Sequence, residues 1–402
     1  IYGNRGANGV ILVTTKTGAS GTKDSHTVSY SGMVAITQPA SHFNVVSNYA
    51  DHMSMMNEAA ENIDATKPYS DAMISLWREK SLDPYGISES GYPNYMAYPN
   101  TDWLNDGLYR PGIYHKHTLS ANGRAGIVSY LISANYTDNP GIIENTAMKK
   151  YQVRANVSVQ ARKWLELGVK VYGFESDRDL CDIDGASNFM TRRITPGFYP
   201  RYDGKYGWNE NPEQNKNSGN ALYYINRYQG YDKTRYQNAT AFVNFTLPLG
   251  IKWSNSFNYA HTQNERKYHV NLEDGYSFRT GEVAYEYKSL ANSKGYEAVT
   301  NAFRWVFQSQ LNWQKTFVSK HDVSALVGYE MQYYHHNNIS GSKKNYTDFT
   351  LHQLSNATEI VSLDGTEYDN AAMSVFGRVT YAYDSKYLFE ANLRYDGPSR
   401  FG

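Results

Sequence analysis

A single cysteine, Cys181, stands among 402 residues. One thiol excludes an internal disulfide framework and any structural zinc site built on cysteines. Charge is also sparse: charged residues make up 19% of the chain, and 39 basic side chains balance 39 acidic ones. No net field favours nucleic acid or an anionic membrane surface, so a nucleic-acid role is not expected. Long apolar runs are missing too, and none approaches the roughly 18 residues of a transmembrane helix. The start carries no basic region followed by an apolar core, so no signal peptide is visible. A membrane location would therefore require a β-barrel, and export would require a signal upstream of residue 1.

Aromatics are abundant, with 37 Tyr, 15 Phe and 7 Trp. Many fall into period-two alternation. In YQVRANVSVQ, Tyr151, Val153, Ala155, Val157 and Val159 alternate with Gln152, Arg154, Asn156, Ser158 and Gln160. IKWSNSFNY places Ile251, Trp253, Phe257 and Tyr259 on one face. FRWVFQSQLNWQ, AMSVFGRVTYAY and YLFEANLRY repeat the pattern. Alternation predicts strands with one apolar face, and eleven are expected, near 26–37, 114–122, 127–138, 151–160, 165–176, 231–247, 251–264, 299–315, 322–338, 372–384 and 387–396.

A soluble sandwich buries such faces between two sheets, whereas an outer-membrane barrel turns them to lipid. Connection lengths favour the barrel. Every second link is tight (NGRA, ARKW, Pro248–Gly250, FVSKHD and DSK), while several of the others exceed about 12–15 residues. Short turns on one rim and long loops on the other characterise outer-membrane barrels. Trp164, Trp253, Trp305, Trp313, Tyr381, Tyr383 and Tyr387 lie at or near strand ends, where a ring can sit in lipid and its polar tip at the interface. One region departs from the β pattern: 44–80 reads as a helical insert in the first long loop. Val45, Tyr49, His52, Met53, Met56, Ala59 and Ala60 line one helix face, and a second helix starts near Asp71.

The opening stretch IYGNRGANGVILVTTKTG spaces Gly3, Gly6 and Gly9 evenly before a β-branched run. Its spacing fails the dinucleotide pattern, and its glycines precede a strand rather than a helix. The stretch resembles the closing segment of the plug domain in the SusC/RagA family, the TonB-dependent outer-membrane transporters of Bacteroidetes. Tyr2, Gly3, Arg5, Gly6, Ala7, Asn8, Gly9, Val10 and Ile11 match that family's motif. The NEAAEN helix, YPNTDWLND from Tyr98 to Asp106, and the terminal LRYDGPSRFG are similar to it as well. The resemblance implies an all-β chain holding the end of a plug (1–20) and the first half of a barrel (21–402). Eleven strands are half of the 22 found in plugged transporters. It also implies import of a large nutrient, a glycan or a peptide, driven through TonB beneath a SusD-like surface lipoprotein. A non-importing barrel such as an adhesin, and a soluble carbohydrate-binding sandwich, are the alternatives. No cofactor is expected.

Ligand contact is expected in the aromatic-rich segment 185–230, from Tyr199, Tyr202, Trp208, Tyr223, Tyr224 and Arg201, because rings with a few hydrogen-bonding groups suit sugars or peptides. The same residues could instead pack the loop. Asp177, Asp179, Asp182 and Asp184 form an acidic cluster in the loop after the fifth strand. Their spacing does not match a calcium loop, and a solvated loop is the simpler reading. His115 with His117, and His335 with His336, lack a recognisable third metal ligand. No nucleophile elbow, HExxH or triad context is present, and catalysis is not expected.

Overall fold

The computed structural model describes residues 24–40, 44–181, 195–208, 219–270, 272–348 and 350–401. The plug motif from Tyr2 to Gly9, with the strand expected behind it, lies outside the described residues. In chain order the elements are β1 (Ser25–Thr37), α1 (Tyr49–Glu61), α2 (Asp71–Ser81), α3 (Asn94–Ala97), β2 (Gly112–Ala125), β3 (Val128–Asn139), β4 (Met148–Arg162), β5 (Leu165–Asp179), β6 (Arg201–Tyr202), β7 (Lys205–Gly207), α4 (Ala221–Asn226) and β8 (Tyr228–Thr246). There follow β9 (Lys252–Val270), β10 (Gly275–Ser277), β11 (Glu282–Tyr285), β12 (Lys294–Phe317), β13 (His321–Tyr346), β14 (Ala357–Tyr383) and β15 (Tyr387–Pro398). No helix among the described residues is long and apolar enough to cross a membrane.

Eleven strands form one antiparallel sheet in the order β1-β2-β3-β4-β5-β8-β9-β12-β13-β14-β15. Each strand pairs with its predecessor, so the wall is an up-and-down meander open at β1 and β15. Such a wall belongs to the barrel class. No second sheet covers its apolar face among the described residues, which removes the sandwich alternative.

The register carries the sequence alternation across the whole wall. One row runs Val28, Ala121, Ile132, Ala155, Val171, Ala239, Tyr259, Trp305, Tyr333 and Ala371. The next row, on the opposite face, runs Ser29, Ser120, Ser133, Arg154, Tyr172, Asn238, Ala260, Arg304, Tyr334 and Asn370. Since side chains alternate with a period of two, a one-residue slip anywhere would mix these rows. The apolar face is exposed: Val28 is 74% and Val153 60% accessible. On the polar face, Gly168 lies opposite Phe242 and Gly328 opposite Phe376. A Cβ at either glycine would fall 2.3 Å from the facing ring, so the absence of a side chain lets each ring lie flat on the sheet.

All five expected short turns are present. The first lies slightly later than expected, because β2 continues through Asn122–Arg124 and the chain reverses at Gly126. Leu249 with Gly250, Val318 with Ser319, and Asp384 with Ser385 all have positive φ, the conformation that matches the twist of paired strands. At the other rim the strands run further than expected. β13 reaches Tyr346 and β14 begins at Ala357, giving strands of 26 and 27 residues.

Beyond the apolar band, the apolar-side face becomes charged. Asp138, Lys149, Asp177, Lys233 and Glu265 form a single register row of strictly alternating sign. Opposite charges placed directly across strands attract, and like charges would repel. Asp177 and Asp179 are thus in β5, not in a loop. Asp177 meets Lys233 at 3.4 Å, while Asp182 and Asp184 lie outside the described residues.

A mouth cavity built by the long connections

The long connections pack on one another at the long-loop rim. Asn48 caps α1 through the Asp51 amide, and Ser70 caps α2 through that of Met73. The buried side of α1 is Tyr49, Ala50, Met53 and Asn57, whereas Met56 is partly exposed and Val45 precedes the helix. Asn57 exchanges two hydrogen bonds with the Tyr69 backbone, at 2.8 and 3.0 Å, locking the α1–α2 link. The Trp77 indole donates to Pro99 O at 3.1 Å and packs edge-on against Tyr49 and Tyr98.

Segment 101–103 is tied to segment 195–198. Thr101 Oγ1 donates to Phe198 O at 2.5 Å and Trp103 Nε1 to Thr195 O at 2.7 Å. Asp102 caps the turn Trp103–Leu108, accepting from the Leu104 and Asn105 amides. Gly197 permits the close approach of the helical insert, since a Cβ there would lie 2.6 Å from the Tyr49 ring. Asn220 fastens α4 below, donating to Pro200 O at 2.6 Å and Gly207 O at 3.0 Å.

These ties leave a cavity of about 630 Å³, with Lys80, Tyr95, Asp106, Glu144, Tyr199 and Arg201 among its walls. Arg201 Nη2 meets Glu144 Oε1 at 3.3 Å. Burial, reinforced by Tyr95 and the Asp106 carboxylate, raises the Tyr199 phenol above its ordinary value, so it remains a hydrogen-bond donor at neutral pH. The lining therefore combines cations, carboxylates and aromatic faces, which suits a polar ligand with flat or ring-shaped parts.

Of the six residues expected to touch ligand, Tyr199 and Arg201 line this cavity. Tyr202 is about half exposed and packs edge-on with Tyr92. Trp208 and Tyr223 are buried in the loop core: Trp208 stacks between Phe198 and Tyr285, and Tyr223 meets Tyr206 edge-on. Burial raises the Tyr223 phenol strongly. Tyr224 is half-buried against Tyr223, with the Arg227 guanidinium 4.9 Å from its ring centre. Tyr223 and Tyr224 thus pack within the loop core, and none of these four lines the mouth cavity. Sequence reasoning missed Glu144, Tyr95 and Lys80, which come from distant segments, although Tyr98 and Asp106 fall in the YPNTDWLND stretch. His115 and His117 lie on the apolar-side face with ring centres 5.3 Å apart, whereas His335 bonds Asp369 and His336 stacks on Tyr368 on opposite faces. Among the described residues, no three His, Cys, Asp or Glu side chains converge as a metal site.

No protein-family model matches the chain. TonB-dependent receptor P3 of Formosa agariphila is 26% identical over 419 residues, covering all of this chain and 36% of that protein. SusC of Bacteroides thetaiotaomicron, a TonB-dependent receptor, is 23% identical over 425 residues, again covering the whole chain and 37% of the relative. Along its whole length the chain is similar to SusC-type TonB-dependent receptors. It spans a little over a third of the length of these relatives. In fold, the wall matches the RagAB peptide transporter with a TM-score of 0.77 at 20% identity, covering all of this chain and 45% of that one. The same importer in its open-open state matches at 0.76.

Proposed function

We propose that this chain is the end of a plug (1–20) and the first half of the barrel (21–402) of an outer-membrane importer that takes up a large nutrient by TonB-dependent transport. The observation carrying this reading is the continuous apolar face on eleven consecutive strands, with five tight turns on one rim and folded loops on the other. The nine residues from Tyr151 to Val159 keep the apolar side unbroken, close to the roughly 9–11 needed by a tilted spanning strand. The apolar face meets lipid, the polar face lines an aqueous lumen, and the loop rim faces outward. A lumen of this width needs a plug, and opening it needs work from outside the barrel.

The mouth cavity is where cargo first meets the wall, through Tyr199, Tyr95 and Arg201. Cargo is an oligosaccharide or a peptide; the peptide is favoured by the match to a peptide transporter, and the mixed charge of the cavity suits both termini of one. A SusD-like lipoprotein covers the mouth. The exposed apolar side chains Met55, Ile63, Leu82, Tyr85 and Ile87 around α1 and α2 offer it a hydrophobic footing. The role is binding and transport, without catalysis.

Fractionation of source cells with an antibody against residues 195–208 tests the reading. An outer-membrane polypeptide about twice as long supports it. A soluble polypeptide of this length would overturn it. Cargo uptake that persists after deletion of TonB would remove the energy coupling alone.

A further inference from the structure

The polar face holds a second cavity, well away from the mouth. The register row Ala260, Arg304, Tyr334 and Asn370 crosses β9, β12, β13 and β14. After β15 the chain turns back over this row. Ser399 Oγ accepts from the Ala371 amide at 3.0 Å, and Arg400 Nε donates to Asn370 Oδ1 at 2.5 Å. The result is a cavity of about 360 Å³ whose walls include Arg304, Gln332, Tyr334, Asn370 and Arg400, and no carboxylate.

The charge balance of this cavity is unusual for the face. Arg394 meets Glu330 at 3.2 Å and Asp396 at 2.7 Å, and Arg378 meets Glu390 at 2.9 Å. Arg154 lies over the Tyr172 ring at 5.1 Å. Arg304, by contrast, has no hydrogen-bond, ion-pair or ring partner among the described residues. Its cross-strand neighbours, Ala260 and Tyr334, are neutral. Arg400 spends one N–H on a neutral amide and keeps the remainder of its fork. On this face the nearest carboxylates along the strands, Glu330 and Asp396, are already engaged by Arg394 and do not line the space, and Asp369 points to the other face, where it meets His335.

Two guanidinium groups facing one cavity without a carboxylate match a planar or tetrahedral oxyanion, which accepts several N–H donors at once. Gln332 and Tyr334 beside them are neutral and already have partners of their own, so the two guanidinium groups carry the charge of the space. We infer that Arg304 and Arg400 form an oxyanion subsite on the lumen wall, which takes a carboxylate or sulfate group carried by the cargo. This rests on the reading that the polar face lines the transport lumen. The subsite lies on the path below the mouth, so cargo bearing such a group exchanges its first contacts for this one as it moves inward.

The test uses the full-length protein purified from membranes in detergent, with equilibrium dialysis of radiolabelled inorganic sulfate at fixed ionic strength. Wild-type protein binds the label saturably. The double variant Arg304→Gln, Arg400→Gln binds it weaker by roughly tenfold or more, the size of a lost charge-assisted contact. Lys163→Gln, in the exposed tight turn between β4 and β5, leaves binding unchanged. Glucose 6-sulfate displaces the label at lower concentration than unlabelled sulfate does, and glucose does not displace it. Equal displacement by sulfate and glucose 6-sulfate would overturn the cargo assignment in favour of a free-anion site. Absence of binding in wild type, with a lowered unfolding temperature in the double variant, would show the arginines held by another part of the polypeptide and also overturn it. The dialysis does not depend on import, so a failure of the transport reading appears in the fractionation and not here.

Discussion

Trp77 and Trp305 share a residue type and have opposite fates. Trp77 is 2% exposed, within a core of Tyr49, Met53, Tyr69 and Tyr98. Trp305 sits in the middle of an apolar row that no second sheet covers among the described residues. The loop assembly is organised by water, which drives its aromatics inward. The wall is organised by lipid, so its apolar side chains face out and its polar ones face in. A chain with no net charge and many tyrosines can satisfy both solvents because the two patterns occupy different segments. The helical insert repeats at 3.6 residues and the wall at two.

Four substitutions would break or sharpen this contrast. The largest effect is expected from Trp77→Ala, which empties a packed site and should destabilise the loop assembly by about 3–5 kcal/mol. Limited proteolysis in detergent would then cut within 49–98 while the wall stays resistant; equal loss of both would show that the two regions fold as one unit. Next, Val171→Arg on the apolar face should cost about 2–4 kcal/mol in a bilayer, whereas Ser158→Arg on the polar face should cost little. Urea titration in lipid vesicles measures both, and similar costs would mean that the faces have been assigned the wrong way round. Asn57→Ala removes both of its hydrogen bonds to the Tyr69 backbone, and about 1–3 kcal/mol of loop stability should go with them.

The smallest effect concerns pH. Burial lowers the His52 pKa below its ordinary 6.5. The unfolded chain therefore protonates first, so the insert keeps its full stability above 6.5 and loses it as pH falls from there toward the folded value. Hydrogen exchange of α1 between pH 7 and 5 reads this, and His52→Gln should flatten the profile. A wild-type profile that is already flat would mean that His52 is solvated.

The wall was legible in the sequence because lipid imposes a strict period on it. Tyr151 to Val159 announce both a strand and its outward face. The pattern fades above the apolar band, where Ser340, Gly341, Ser342, Lys343 and Lys344 give neither face an apolar side, and so the end of β13 beyond residue 338 and the first half of β14 read as loop. The helices were legible from Tyr49, Met53 and Trp77, although α1 begins only where Asn48 caps it. The mouth cavity was half legible. Tyr199 and Arg201 stood out in an aromatic-rich segment, but Glu144 and Tyr95 reach them only through folding. Trp208 and Tyr223 carry the same composition and serve the core, a distinction set by burial alone.

The register has an evolutionary consequence. Inserting or deleting one residue within the apolar band of a strand would turn the side chains beyond it to the wrong solvent, and the register shifts that the wall does carry, at Gln160/Arg162 and Ser342/Lys343, lie near strand ends. The five tight turns, three of them with paired left-handed residues, leave no slack to absorb such a change. Length variation in descendants of this chain is thus confined to the outer connections. The outer connections can be lengthened or trimmed, while the wall beneath drifts only by substitution, one face at a time.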